Sequence, residues 1–146
     1  MKHVTVNEAH DQMEQGATYL DVRSTREFAM GHPAGAFNVP LIEPDEDSGM
    51  MQPNPDFVRV VKAVFPADAK LVVGCQAGGR SMRAAQVLEA FGFNDVANVR
   101  GGFGGGPSPS GNQMDQGWVS AGFPVETNAR AGHAYKDLAA RVDDPK

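Results

Sequence analysis

The sequence predicts an α/β fold, with a mostly parallel central sheet flanked by helices. Three observations predict it. Short apolar runs alternate with segments of helical periodicity along the chain, the pattern of strand–helix–strand units. Two capping-box spacings, Thr5-Val6-Asn7-Glu8 and Ser24-Thr25-Arg26-Glu27, open helices soon after strand-like runs. Glycine or proline then closes most helical segments at the expected place.

In chain order, a first short strand covers Val4 and Val6, and a helix runs from there to about Gln15. Thr18 to Val22 reads as a strand. The second capping box opens a short helix that stops before Gly31. Leu41 to Pro55 is irregular, acidic and proline-bearing, and is expected to be a surface loop. Phe57, Val58, Val61, Val64 and Phe65 recur at helical spacing, and Pro66 ends that helix. Leu71-Val72-Val73 marks a buried strand. Ser81 to Phe91 is helical, with Ala84, Ala85, Leu88 and Phe91 on one face and Gly92 as the stop. Asp95 to Val99 is a weaker strand. Gly101 to Gly111, rich in Gly, Pro and Ser, is expected to be a flexible loop. The expected organisation is one domain over residues 1–128, with a polar tail over 129–146 that forms a peripheral helix.

The 146 residues suffice for one core, and their net charge is −5. That charge argues against nucleic acid or an anionic membrane surface as a partner. No apolar run approaches the roughly 20 residues of a membrane span. The amino-terminal segment lacks a signal-like apolar block. A cytoplasmic location is expected. The chain has one cysteine, so no intrachain disulfide can form, and His3, His10, His32 and His133 show no ligand spacing. Neither a metal nor another cofactor is expected.

The strongest chemical signal is a strand, then Gly74-Cys75-Gln76-Ala77-Gly78-Gly79-Arg80-Ser81, then a helix. Cys75 falls at the carboxyl end of a strand, where open α/β sheets place ligand sites. Ala77, Gly78 and Gly79 permit a tight turn whose N–H groups face inward as an anion-holding nest. The helix starting near Arg80 points its positive end at the same place. A thiol there is expected to yield the nucleophilic thiolate more readily than a free one. Arg80 adds a fixed positive charge for a bound oxyanion, or it pairs with a neighbouring carboxylate. The plainer alternative is an inert core cysteine, and the glycine-rich turn weighs against it. Cysteine phosphatases also set a thiolate and an arginine around an anion cradle, but with five residues between them. Here there are four, Gln76 to Gly79, a smaller cradle that suits a terminal sulfur better than a phosphate ester.

This loop resembles that of the rhodanese family, and further motifs extend the resemblance from Val4 to Val125. They are Leu20-Asp21-Val22-Arg23, Glu27-Phe28, and Gly31-His32-Pro33-Ala34-Gly35-Ala36-Phe37-Asn38-Val39-Pro40. Gly92-Phe93, Val96, Arg100-Gly101-Gly102, Trp118 and Gly122-Phe123-Pro124 follow in order. The resemblance implies a sulfurtransferase. Cys75 would be its nucleophile, and Gln76, Ala77, Gly78, Gly79 and Arg80 would cradle a persulfide. It further implies a small-molecule sulfur donor such as thiosulfate, and cyanide, a thiol or a sulfur-relay protein as acceptor. Asp21, Arg23, Glu27 and His32 are expected to hold loops together, and Asn38 and Pro40 to form turns. Two rivals stand beside this reading: a sulfur relay or binding module without turnover, and a phosphatase or arsenate reductase on the related loop. The chain departs from the family where Phe103 to Gly117 separate Gly-Gly from the tryptophan. That insertion either shapes access to the site or is inert surface, and the acidic run Glu43 to Asp47 is expected to be solvated.

Overall fold

The computed structural model describes residues 1–142. Five parallel strands form the central sheet: β1 (Lys2–Val4), β2 (Thr18–Asp21), β4 (Phe37–Asn38), β7 (Lys70–Gly74) and β8 (Asp95–Val99). Their order is β1-β8-β7-β2-β4. Parallel neighbours need helical crossovers, which cover both faces and bury the central strands. The burial is nearly complete: Leu20, Leu71, Val72, Val73 and Val99 are each at most 1% exposed.

The crossovers are α1 (Val6–Glu14), α2 (Thr25–Met30), α3 (Phe57–Val64) and α4 (Gly79–Ala90). Both capping boxes form. Thr5 Oγ1 accepts the Glu8 N–H at 3.1 Å, and Glu8 returns the bond to the Thr5 N–H at 2.9 Å. Ser24 and Glu27 repeat this at 3.2 Å in each direction. Because Thr5 caps α1, Val6 begins that helix rather than ending the first strand as expected. Burial divides between two clusters, one on each side of the sheet's apolar strands. Val60, Val61, Ala84, Ala85 and Leu88 lie in one; Val6, Ala9, Phe28 and Trp118 lie in the other.

Three segments differ from expectation. Leu41 to Pro55 contains an antiparallel hairpin, β5 (Ile42–Pro44) with β6 (Met51–Pro53), instead of a plain loop. Asp45 Oδ2 accepts the Ser48 N–H at 2.9 Å within its turn, and Glu43 accepts from the N–H and hydroxyl of Thr25 at the start of α2. Asn38 lies in β4, where its Nδ2 donates to the carbonyls of Asp21 and Arg23, both at 3.0 Å. The glycine-rich stretch carries a second hairpin, β9 (Gly106–Pro107) with β10 (Met114–Asp115).

Near the carboxyl end, β11 (Val125–Glu126) pairs with β3 (His32–Pro33). The tail contains α5 (Tyr135–Ala140), whose Leu138 is wholly buried in the first cluster. The His133 carbonyl accepts the Asn38 N–H at 3.0 Å, and the His133 ring stacks on Phe37 with centroids 3.6 Å apart. Residues 143–146, the end of the expected polar tail, lie outside the described residues.

Candidate active site

The carboxyl edge of the sheet brings four segments together: residues 21–23 at the end of β2, the cysteine loop after β7, residues 100–103 after β8, and the start of α2. Cys75 is 2% exposed, with a free thiol. Its Sγ accepts the N–H of Gly78 at 3.1 Å and of Ser81 at 3.3 Å. This geometry follows from the local sequence. Gly78 caps α4 at φ 116°, a conformation glycine adopts freely, and offers no side-chain cap. The sulfur therefore occupies the place of a capping acceptor, facing the N–H groups of the cap residue and of Ser81 in the first turn of α4. An anionic sulfur gains most from such donors.

Ser81 Oγ lies 3.3 Å from Sγ and 2.6 Å from Asn98 Oδ1, and Asn98 Nδ2 is 3.1 Å from His3 Nδ1. Ser81 and Asn98 are both buried. Neither was singled out as a functional residue by sequence reasoning. Asn98 left one signal, a polar residue in the otherwise apolar run Val96 to Val99 of β8.

The remaining sequence-derived residues take up distinct positions. Gln76, Ala77 and Gly79 are exposed around the turn, and Gly78 is half-buried. The Gln76 side chain accepts from Arg23 Nη1 at 3.3 Å. Arg80 Nη1 and Nη2 donate to the two Glu27 carboxylate oxygens at 2.7 and 3.0 Å. Its hydrogen bond from Arg80 holds the Glu27 carboxyl down to about 2, and the same contact raises Arg80. The arginine of the loop thus has a carboxylate partner on α2. Arg23, buried beside Asp21, pairs with it at 2.8 Å and also donates to the Gly31 carbonyl at 2.7 Å. His32 is buried, stacked on Phe28 and bonded to the Phe28 carbonyl through Nδ1 at 2.7 Å. Among the described residues, no three His, Cys, Asp or Glu side chains converge as a metal site.

The insertion packs directly on the cysteine loop. The Phe103 and Gly104 N–H groups donate to the carbonyls of Cys75 and Gln76 at 2.8 and 2.9 Å. Gly102 has φ 56°, and a Cβ there would stand 2.3 Å from the Cys75 carbonyl oxygen. One on Gly106 would lie 2.6 Å from that of Ala77. Glycine is what lets these two backbones approach so closely.

Comparison with known proteins agrees with this architecture. The family model for the rhodanese-like domain matches residues 5–105. The chain is 42% identical over 100 residues to thiosulfate sulfurtransferase 16, chloroplastic, of Arabidopsis thaliana, covering 68% of this chain and 82% of that one. It is 37% identical over 120 residues to protein HIGH ARSENIC CONTENT 1, mitochondrial, of the same plant, covering 82% of this chain. It spans only 63% of that relative's length. Among solved structures, Rv0390 from M. tuberculosis superposes with a TM-score of 0.70 at 23% identity, over 88% of this chain and 98% of that one. A model spanning most of the chain, and a relative of this identity, place the protein in the rhodanese-like domain family.

Proposed function

We propose that the protein is a sulfurtransferase that moves a sulfane sulfur from a donor such as thiosulfate to a thiophilic acceptor through a persulfide on Cys75. One observation carries the reading: the only cysteine in the chain sits at a strand's carboxyl end with two backbone N–H groups directed at its sulfur. Support also comes from relatives whose names include thiosulfate sulfurtransferase. The Cys75 thiolate attacks the outer sulfur of thiosulfate, the S–S bond breaks, and sulfite leaves. A nucleophile, cyanide or a thiol, then attacks the outer sulfur of Cys75–S–S⁻ and returns the electron pair of that bond to Sγ. Splitting transfer into two displacements predicts ping-pong kinetics. The loop N–H groups hold the negative sulfur in both half-reactions without reorganising, while Arg80, fixed by Glu27, adds positive potential at the rim.

Intact-protein mass tests this directly. Thiosulfate should add one sulfur atom to the wild type, cyanide should remove it, and Cys75→Ser should show neither change. Turnover retained in Cys75→Ser would sink the proposal.

A further inference from the structure

A chain of hydrogen-bonding groups leads from the Cys75 sulfur to the edge of the sheet. Ser81 Oγ lies 3.3 Å from Sγ and 2.6 Å from Asn98 Oδ1, and Asn98 Nδ2 lies 3.1 Å from His3 Nδ1. Ser81 and Asn98 are buried, whereas His3 is exposed. Sheet register makes the far link, because His3 of β1 stands opposite Asn98 of β8. Strand alternation turns both side chains to the face covered by α4, while Val4, Ala97 and Val99 turn to the other.

Each link has a direction. The Asn98 amide has one donor end and one acceptor end. A neutral His3 accepts from Asn98 Nδ2, which leaves Oδ1 facing Ser81 and drawing the hydroxyl proton away from the sulfur. A protonated His3 has only donors. Its bond to Asn98 then re-forms only when the amide turns over and offers Oδ1. In that arrangement Nδ2 donates to Ser81 Oγ, and the hydroxyl proton is free for Sγ.

Resting on the reading of Cys75 as the sulfur carrier, we propose that His3 is a positioning residue for this site: through Asn98, its charge state directs the Ser81 hydroxyl toward the sulfur or away from it. No covalent bond to a heavy atom changes in the relay. Solvent supplies the proton to the exposed imidazole, a group that changes charge between about pH 5 and 8. The third donor favours the thiolate, the form that attacks the sulfur donor and that the acceptor releases.

The other charges around His3 have their own places. On its face, α4 carries Arg80, Arg83 and Glu89, and Arg100 follows β8. Arg80 and Arg100 pair with Glu27 and Asp115, and Arg83 and Glu89 are exposed. On the opposite face Lys2 pairs with Asp95, and α1 carries Glu8, His10, Asp11 and Glu14. Among the described residues, the His3 ring is hydrogen-bonded to Asn98 alone.

The pH–rate profile of Cys75 alkylation by iodoacetamide tests the relay, since its midpoint reads the thiol–thiolate balance and needs no sulfur transfer. His3→Gln keeps an acceptor and never charges, whereas His3→Lys offers only donors. Both changes fall at an exposed position of an edge strand, and far-UV circular dichroism verifies that each variant is folded. The His3→Lys midpoint should lie below that of His3→Gln by roughly half a unit to one unit, one hydrogen bond to an anion less the cost of turning the amide. Wild type should track His3→Gln at high pH and His3→Lys at low pH. With Ser81→Ala added, the two midpoints should coincide. Coincident midpoints with Ser81 in place overturn the proposal. A gap of the same size without Ser81 also overturns it, because the charge would then act through space. Absence of a thiosulfate-derived persulfide in the wild type, read by intact mass, overturns the sulfur-carrier reading instead, and the alkylation profiles still decide the relay.

Discussion

Ser81 has one hydroxyl proton and three acceptors around it: Asn98 Oδ1 at 2.6 Å, the Gly78 carbonyl at 3.1 Å, and Cys75 Sγ at 3.3 Å. With a neutral thiol, S–H donates to Oγ and the hydroxyl proton goes to Asn98. When the sulfur is anionic, the same hydroxyl can turn to donate to it, adding a third donor to the N–H groups of Gly78 and Ser81. Hydrogen bonds to charged groups contribute about 1.5–3 kcal/mol. Ser81→Ala is therefore expected to slow alkylation of Cys75 by iodoacetamide at neutral pH by roughly tenfold or more, with Ser81→Thr largely restoring it. An alanine variant alkylated at the wild-type rate would assign the hydroxyl to Asn98 alone. Glu27 is the second telling residue, since it caps α2 and pairs with Arg80 at once. Its carboxyl is lowered to about 2. A lowered carboxyl stabilises the fold above its ordinary value near 4.5 and loses that contribution as pH falls toward 2. Glutamine keeps the capping contact and removes only the charge. Glu27→Gln should therefore be less stable by about 1 kcal/mol or less, as for a partly solvated pair. The gap in thermal midpoint should hold from pH 8 to 5, shrink between 4.5 and 2, and vanish below. A gap that survives below pH 2 would rule out the ion pair as its source.

Elements show which parts of this molecule a sequence can display. Strand, glycine turn and helix around Cys75 were legible because every requirement is local: an apolar run, small residues at the turn, a helical face after it. Both capping boxes were legible for the same reason. The partners were not. Arg80 and Glu27 are 53 residues apart, and Arg100 and Asp115 are 15 apart. Only the folded chain brings α2 to the rim of the loop, or β10 to the end of β8. Arg23 shows the point most fully. It contacts Asp21, the Gly31 carbonyl, Gln76 and, 4.4 Å beneath its guanidinium, the Phe103 ring. Those contacts join four segments, and only Asp21 is close in sequence. Short strands were missed for another reason. β5 and β6 bury no residue fully, so their pairing leaves no apolar alternation to read. β4 is two residues long, too short for any period.

At the scale of the whole molecule, the carboxyl-terminal segment joins the core cluster that also holds Cys75, but it lies away from the hydrogen bonds around the sulfur. α5 packs against α3, and its Leu138 shares a cluster with Phe57, Val60, Val61 and Leu88. The same segment covers the edge strand β4 through the His133 carbonyl and the stacked His133 and Phe37 rings. Covering an edge strand stabilises a sheet and blocks pairing with other chains. Its helix is too short to persist alone, so it must draw its order from this packing. Leu138→Ala removes a wholly buried side chain from a site that closes only partly, a change that costs about 2–5 kcal/mol. Among the described residues, none of the hydrogen bonds of Cys75, Ser81 or Arg80 involves α5. The urea midpoint should therefore fall by an amount equivalent to that energy, while the rate of persulfide formation per folded molecule stays at the wild-type value. If the rate dropped as well under conditions where the variant is fully folded, the tail would be coupled to the cysteine loop, and stability and catalysis would not be separable in this fold.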